Sequence, residues 1–237
     1  MRQLLFKSMK LLELQPRLQL LAELVPDGAK LADIGTDHGY LPVALLQREK
    51  IQRAIATDIG EEPLQHARRT AEECGLSEHV DFRLCDGLNG MMPDEADTIV
   101  IAGMGGETMI AILDAAPWAK ENKTLLLQPM TKVELLRGWL GSNGYTFEKE
   151  RLVWDKGNLY PIFIVRGGEK RELTTVEQYA GVAMDGDPLY GDYLAHQMSR
   201  LQKAIDGLNK ANDCCSHGRA CEFDEIRKAL EEMRSKL

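Results

Sequence analysis

The sequence predicts an α/β protein: an open parallel sheet with helices on both faces, closed by an antiparallel hairpin and followed by a helical hairpin. Three observations carry this expectation. The short apolar segment Leu31-Ala32-Asp33-Ile34 runs into a turn bearing Gly35 and Gly39 and then into an apolar stretch of helical rhythm. Further apolar runs of strand length follow, each succeeded by helical spacing, as in a chain of βαβ units. Beyond Gly167-Gly168 the apolar residues recur at alternating intervals of three and four, which is heptad spacing.

Taken in order, Met1 to Leu24 has an approximately helical rhythm interrupted by Pro16, which predicts two short helices capping the first strand. That strand is Leu31 to Ile34, and Tyr40 to Glu49 is its helix. Arg53 to Ile59 forms the second strand, ending at Asp58, before a helix from Glu61 to Cys74. Val80 to Leu84 alternates as the third and stops at Cys85-Asp86-Gly87. Asp97 to Ala102 is the fourth, entering Gly103-Met104-Gly105-Gly106-Glu107, where another helix begins. Thr124 to Leu127 is the fifth, leading through Gln128-Pro129-Met130 to a helix from Lys132 to Ser142, stopped at Asn143-Gly144. Tyr145 to Trp154 and Leu159 to Arg166 then pair as a hairpin about Asp155-Lys156-Gly157-Asn158. In the tail, Leu194, Met198, Leu201, Ile205 and Leu208 form one apolar stripe. Phe223, Ile226, Leu230, Met233 and Leu237 form another beyond a polar turn near Asn209 to Gly218. Two such helices pair most simply as an antiparallel coiled coil; a homodimer through the helical tail is the competing reading. The expected division is residues 1–167 for the sheet domain and 168–237 for the helical one.

Composition narrows the partners. The 237 residues carry a formal charge of −8, against a strongly basic nucleic-acid binder, although the placement of charge matters more than its sum. Arg2, Lys7, Lys10 and Arg17 are locally basic near the start. Arg200, Lys203 and Lys210 are candidate phosphate contacts on the tail. No apolar run is long enough to span a bilayer, and charges interrupt the first residues, so no membrane partner and a cytoplasmic location are expected. Five cysteines at irregular spacing predict reduced thiols. Cys214, Cys215, His217 and Cys221 match no standard zinc spacing, and no metal is expected.

The first turn sets the ligand chemistry. It reads Asp33-x-Gly35-x-Asp37-x-Gly39, with two acids where a dinucleotide site would meet a pyrophosphate. S-adenosylmethionine has no phosphate and carries an ammonium and a sulfonium, so it suits these carboxylates better. Asp58, with Ile59 beside it, stands where a second-strand acid accepts hydrogen bonds from ribose hydroxyls. Asp86, followed by Gly87, is placed for the adenine amino group. Either acid can also serve simply as a turn or cap residue. Arg17 can meet a ligand carboxylate. Ala102 and Gly103 end the fourth strand beside the cofactor. Met104, Gly105 and Gly106 give a floor with little bulk for a flat substrate base, and Gln128 and Pro129 stand next to it; close helix–sheet packing is the alternative reading of the glycines.

These motifs in this order, with Asp86-Gly87-Leu88, Ile-Ala-Gly-Met-Gly-Gly and Leu-Gln-Pro, resemble the bacterial tRNA adenine-22 N1-methyltransferase family over about Leu11 to Arg166. The resemblance implies a class I, Rossmann-like, seven-stranded methyltransferase sheet with a carboxyl-terminal coiled coil. It implies S-adenosylmethionine as methyl donor and tRNA as substrate. The family's cofactor motifs fall on Asp33, Gly35, Asp58 and Asp86, and Gly103 to Gly106 lie beside the reacting groups. Asp37, where many class I enzymes have glycine, and His38 are the candidate catalytic residues. A small-molecule methyltransferase and a non-catalytic cofactor-binding scaffold remain the alternatives, and nicotinamide binding is disfavoured by the acids.

Overall fold

The computed structural model describes residues 11–184, 186–210 and 214–237. The sheet domain runs α1 (Pro16–Leu24), β1 (Leu31–Ile34), α2 (Tyr40–Gln47), β2 (Ala54–Asp58), α3 (Glu61–Glu73), β3 (Val80–Leu84), β4 (Thr98–Gly105), α4 (Gly106–Asp114), β5 (Thr124–Thr131), α5 (Val133–Ser142), β6 (Tyr145–Asp155) and β7 (Asn158–Gly167). The tail adds α6 (Thr175–Ala180), α7 (Tyr190–Leu208) and α8 (Cys214–Arg234). The seven strands lie in the order β3-β2-β1-β4-β5-β7-β6. The first five are parallel, and β7 is antiparallel to both its neighbours. Apolar side chains alternate between the faces: Ala32, Ile34, Ile99, Ile101, Leu125 and Leu127 pack under α4 and α5, while Leu31, Val100 and Leu126 pack under α1 and α2. A strand buried on both faces must be apolar throughout, and β1 is, apart from Asp33.

Several boundaries differ from the sequence reading for identifiable reasons. Of the two helices expected before β1, residues 1–10 lie outside the described residues, and the stretch from Leu11 to Gln15 is not helical. Pro16 opens α1 instead of interrupting a helix, because the first turn has no use for the missing N–H. Helix α2 stops at Gln47, two residues early, and Glu49 adopts φ 55°. Strand β4 continues through Gly105, and β5 continues through Pro129 to Thr131. Met104 pairs with Pro129 after a register shift that leaves Gly103 out of the ladder, and Gly105 with Thr131 after a second that leaves out Met130. The β6–β7 hairpin turns as expected: Lys156 (φ 48°) and Gly157 (φ 78°) supply the two positive φ values of a two-residue turn.

The tail pairs within the chain. Leu194, Leu201, Ile205, Ile226 and Leu230 are buried between α7 and α8, with Met198, Phe223 and Met233 partly so. The same seam takes in Leu152 and Leu159 from the hairpin, so the expected division at 167/168 is bridged by packing. Leu237 lies beyond α8 and is 72% exposed, outside the stripe assigned to it. Helix α8 begins at Cys214, so His217 and Cys221 sit on a helix and not in a turn. Helix α6 was not expected; Thr174 and Glu177 form its reciprocal capping box.

One buried network ties tail to sheet. Arg137 of α5 and Glu150 of β6 are both fully buried and paired at 2.7 Å. Arg137 also donates to the Tyr193 hydroxyl of α7 (3.3 Å) and to the Gln178 carbonyl of α6, and stacks over Phe163. The other Glu150 oxygen accepts from the N–H groups of Val182 (2.7 Å) and Ala183 (3.3 Å). Among the described residues no helix is long and apolar enough to cross a membrane.

Candidate active site

The strand order reverses between β1 and β4, and open α/β sheets bind ligands at the carboxyl ends of such strands. A cavity of about 460 Å³ lies there, within the range of small-molecule sites. Its walls come from α1 (Arg17, Leu18), β1 (Asp33), the β1–α2 turn (Gly35, Thr36, Asp37, His38), α2 (Tyr40, Leu41), β4 (Ala102, Gly103), β5 (Gln128) and the hairpin turn (Lys156). Larger clefts lie elsewhere: two, of about 840 and 520 Å³, open around Ile51 to Arg53 at the start of β2, the opposite end of the sheet, and one of about 560 Å³ lies among Lys120 to Lys123, Arg166 and Gly167.

Asp33 is the buried acid of this cavity, 6% exposed at the end of β1. Burial pushes its pKa from 3.8 up to about 6; the Thr36 hydroxyl, donating at 2.7 Å, opposes that rise, and the Asp58 charge adds to it. Among the described residues no cation stands within ion-pair distance of it. Asp58 holds the neighbouring turn: its Oδ1 accepts from the Gly60 N–H at 2.9 Å and its Oδ2 from the Asp37 N–H at 3.4 Å. Gly35 has φ 73°, a left-handed conformation that favours glycine, and a Cβ there would push aside the Met104 methyl at the free end of its side chain.

The glycine run divides. Gly103, at φ 78° in the bulge of β4, has open space where a side chain would stand, so bare backbone borders the cavity. Gly106 is different. A Cβ there would run into the Lys132 carbonyl, and Gly105 sits close to Thr131, so these two answer to packing against the β5–α5 turn. Neither lines the cavity, and nor do Met104 or the buried Pro129. Gln128 is fully buried. Its Oε1 accepts from the Gly103 N–H (3.2 Å) and from Arg17 (2.9 Å), and its amide donates to the Pro129 carbonyl, so it fixes the floor. Arg17 is committed as well, paired with buried Asp155 at 2.5 Å and stacked on Tyr160.

Asp37 stands at the mouth with φ 51°, an uncommon conformation outside glycine, and its side chain is 70% exposed. Its carboxylate lies 3.7 Å from Nε2 of His38. The His38 ring stacks on Tyr40 (centroids 5.1 Å, planes 11° apart) and on His66 of α3 (4.9 Å, 6°). Asp37, His38 and His66 each bring one potential metal-ligand atom within 4.8 Å of the others. An imidazole binds a metal in its own plane, however, and stacked rings keep those planes apart. Ile59 is 74% exposed after β2, and Asp86 is exposed after β3; neither borders the cavity, nor does Gly87, whose Cβ would meet Ile112. The sequence reading missed Thr36, Tyr40 and Lys156. Thr36, three residues after Asp33, was readable as a hydroxyl on a strand-end turn. Lys156 was not, because only the fold brings the hairpin turn to β1.

Residues 14–163 match the family model described as a methyltransferase domain. The tRNA (adenine(22)-N(1))-methyltransferase of Bacillus subtilis (strain 168) is 32% identical over 230 residues, 95% of this chain and 94% of its own. The crystal structure of the B. subtilis m1A22 tRNA methyltransferase TrmK superposes with a TM-score of 0.82 at 29% identity, covering 94% of this chain and 99% of that one. M. capricolum TrmK, solved with S-adenosyl-homocysteine, gives 0.77 at 28% identity over 94% and 99%. With the match extending over nearly the whole length of both chains, the chain belongs to the tRNA (adenine(22)-N(1))-methyltransferase family.

Proposed function

We propose that this chain transfers a methyl group from S-adenosylmethionine to N1 of an adenine in tRNA, the adenine at position 22 as in its relatives. The observation that carries the cofactor assignment is Asp33: a buried carboxylate, raised to about 6 and with no cation within ion-pair distance among the described residues, at the head of a cavity bordered by bare Gly103 backbone. Such a group gains most from a cationic ligand. When bound, the cofactor supplies an electrophilic methyl group on a sulfonium. Asp33 holds the ammonium, and Asp58, its turn already fixed by Gly60 and Asp37, keeps lone pairs for ribose hydroxyls. The adenine ring and its amino group extend out of the cavity over the ends of β2 and β3, where exposed Ile59 and Asp86 meet them. Gln128 acts as a positioning residue for Gly103 and Arg17.

N1 of adenine presents a lone pair and no proton, so the chain needs to position it more than to deprotonate it. Bringing that atom out of a paired or stacked helix costs a few kcal/mol. Asp37, exposed at the mouth, accepts the N6 hydrogen of the base and offsets the positive charge that N1-methylation creates; His38 orients its carboxylate. The test is transfer of labelled methyl from S-adenosylmethionine to unmodified bacterial tRNA, with the nucleoside identified by mass spectrometry. The expected product is N1-methyladenosine, lost when the single target adenine is replaced. Cofactor binding with no transfer to any tRNA overturns the assignment and favours a small-molecule substrate or a scaffold.

A further inference from the structure

The rings of Tyr40, His38 and His66 stand outside the hydrophobic cores, yet they lie within 11° of parallel with centroids about 5 Å apart. Tyr40 is 40% exposed and the His38 side chain 41%, and both line the cavity, whereas His66 extends the ring surface outward onto α3. Rings stacked face to face leave open faces at the two ends of the pile, Tyr40 at the cavity and His66 beyond its mouth, and a pile that runs out past the mouth suits a flat ligand that also continues past the mouth. A nucleic acid whose one base enters the cavity is such a ligand, because the next base is held a single backbone repeat away. Base–aromatic stacking tolerates any base, since each has a π face. The parallel planes disfavour the competing use of Asp37, His38 and His66 as metal ligands.

We propose that Tyr40, His38 and His66 form a stacking platform for the base next to the methylated adenine, holding it once the target has left the RNA stack. This rests on the tRNA reading above. It adds a second nucleotide contact and gives His66, a residue outside the cavity, a part in substrate binding.

The experiment uses the full chain with His66→Ala, His66→Phe, Tyr40→Ala and Tyr40→Phe, and tRNA that is either intact or abasic at one of the two nucleotides flanking the target. Alanine at either position is expected to raise KM for tRNA roughly 5- to 150-fold, the range of one lost base–aromatic stack. In His66→Ala, affinity for S-adenosylmethionine, measured by calorimetry, stays at the wild-type value. Both phenylalanine variants keep the ring and restore KM. One abasic substrate costs the wild type a similar factor and costs His66→Ala little more, because the two changes remove the same contact. The platform is refuted if His66→Phe fails as badly as His66→Ala, which would make the imidazole nitrogens the working atoms, or if the abasic and His66→Ala losses multiply. A wild-type chain that binds cofactor and methylates no tRNA removes the tRNA reading itself, a result distinct from either.

Discussion

Asp33 links the protein's stability to its cofactor. Its folded pKa of about 6 lies above the unfolded value of about 3.9. Between those values the native state binds more protons than the unfolded state, so stability declines as pH rises through this window. The total loss approaches about 3 kcal/mol above pH 6. A bound cation reverses the penalty by favouring the carboxylate. Cofactor affinity should therefore weaken as pH falls from 7 to 5. Asp33→Asn should flatten that profile, weaken binding at pH 7 and raise the ligand-free unfolding midpoint; calorimetry across pH and urea titration read the two effects. Asp37 makes a second trade. It holds φ 51° without being glycine, a strain of about 1 kcal/mol or more. Asp37→Gly should gain stability in urea titration while turnover falls at least about tenfold with cofactor affinity little changed; unchanged turnover would remove Asp37 from the chemistry. These acids were legible in the sequence because strand, turn and helix are contiguous there. Lys156 was not, since it reaches the cavity only through the hairpin; Gln128 was named beside the floor, but its bond to the Gly103 N–H is set by the pairing of β4 with β5 and could not be read from spacing.

Among the elements, β4 and β5 show where local preference yields to pairing. Glycine and proline are poor strand residues, so a reading by propensity stops at Ala102 and Leu127. The two strands continue together because each supplies the other's ladder past the Gly103 bulge. Gly103 and Gly106 should accordingly respond differently to the same change. Gly106→Ala drives a methyl into the Lys132 carbonyl and should cost about 1–3 kcal/mol by urea titration. Gly103→Ala meets no atom, and its cost of about 1–2 kcal/mol comes from φ 78° alone, with a further loss in substrate KM as the floor gains bulk. Helix α6 was missed although Thr174-x-x-Glu177 is a capping signature: six residues without a long apolar period give little else to see.

At the scale of the molecule, the heptad stripes made the helical hairpin legible, but not its attachment. Nothing in the spacing of Arg137, Glu150 and Tyr193 announces that they meet across 56 residues. Arg137→Met leaves Glu150 buried without its cation, and about 3–5 kcal/mol of unfolding free energy should disappear in urea titration. Removing residues 187–237 takes away Tyr193 and uncovers Leu152 and Leu159, so the remaining chain should express poorly and lose its cooperative transition. The expectation that the tail contacts RNA phosphates is better tested by reversing exposed Arg200 and Lys203, with a drop in tRNA affinity and in its salt dependence as the outcome that supports it. The position of β7 between β5 and β6 also bears on synthesis. A ribosome that has translated only as far as β6 holds a chain in which Leu125 to Leu127 have an open edge, because the strand that covers them emerges last. Until Val165 has cleared the exit tunnel that edge is a template for any passing strand, and polypeptides released early by stalled translation should be the aggregating species of this protein.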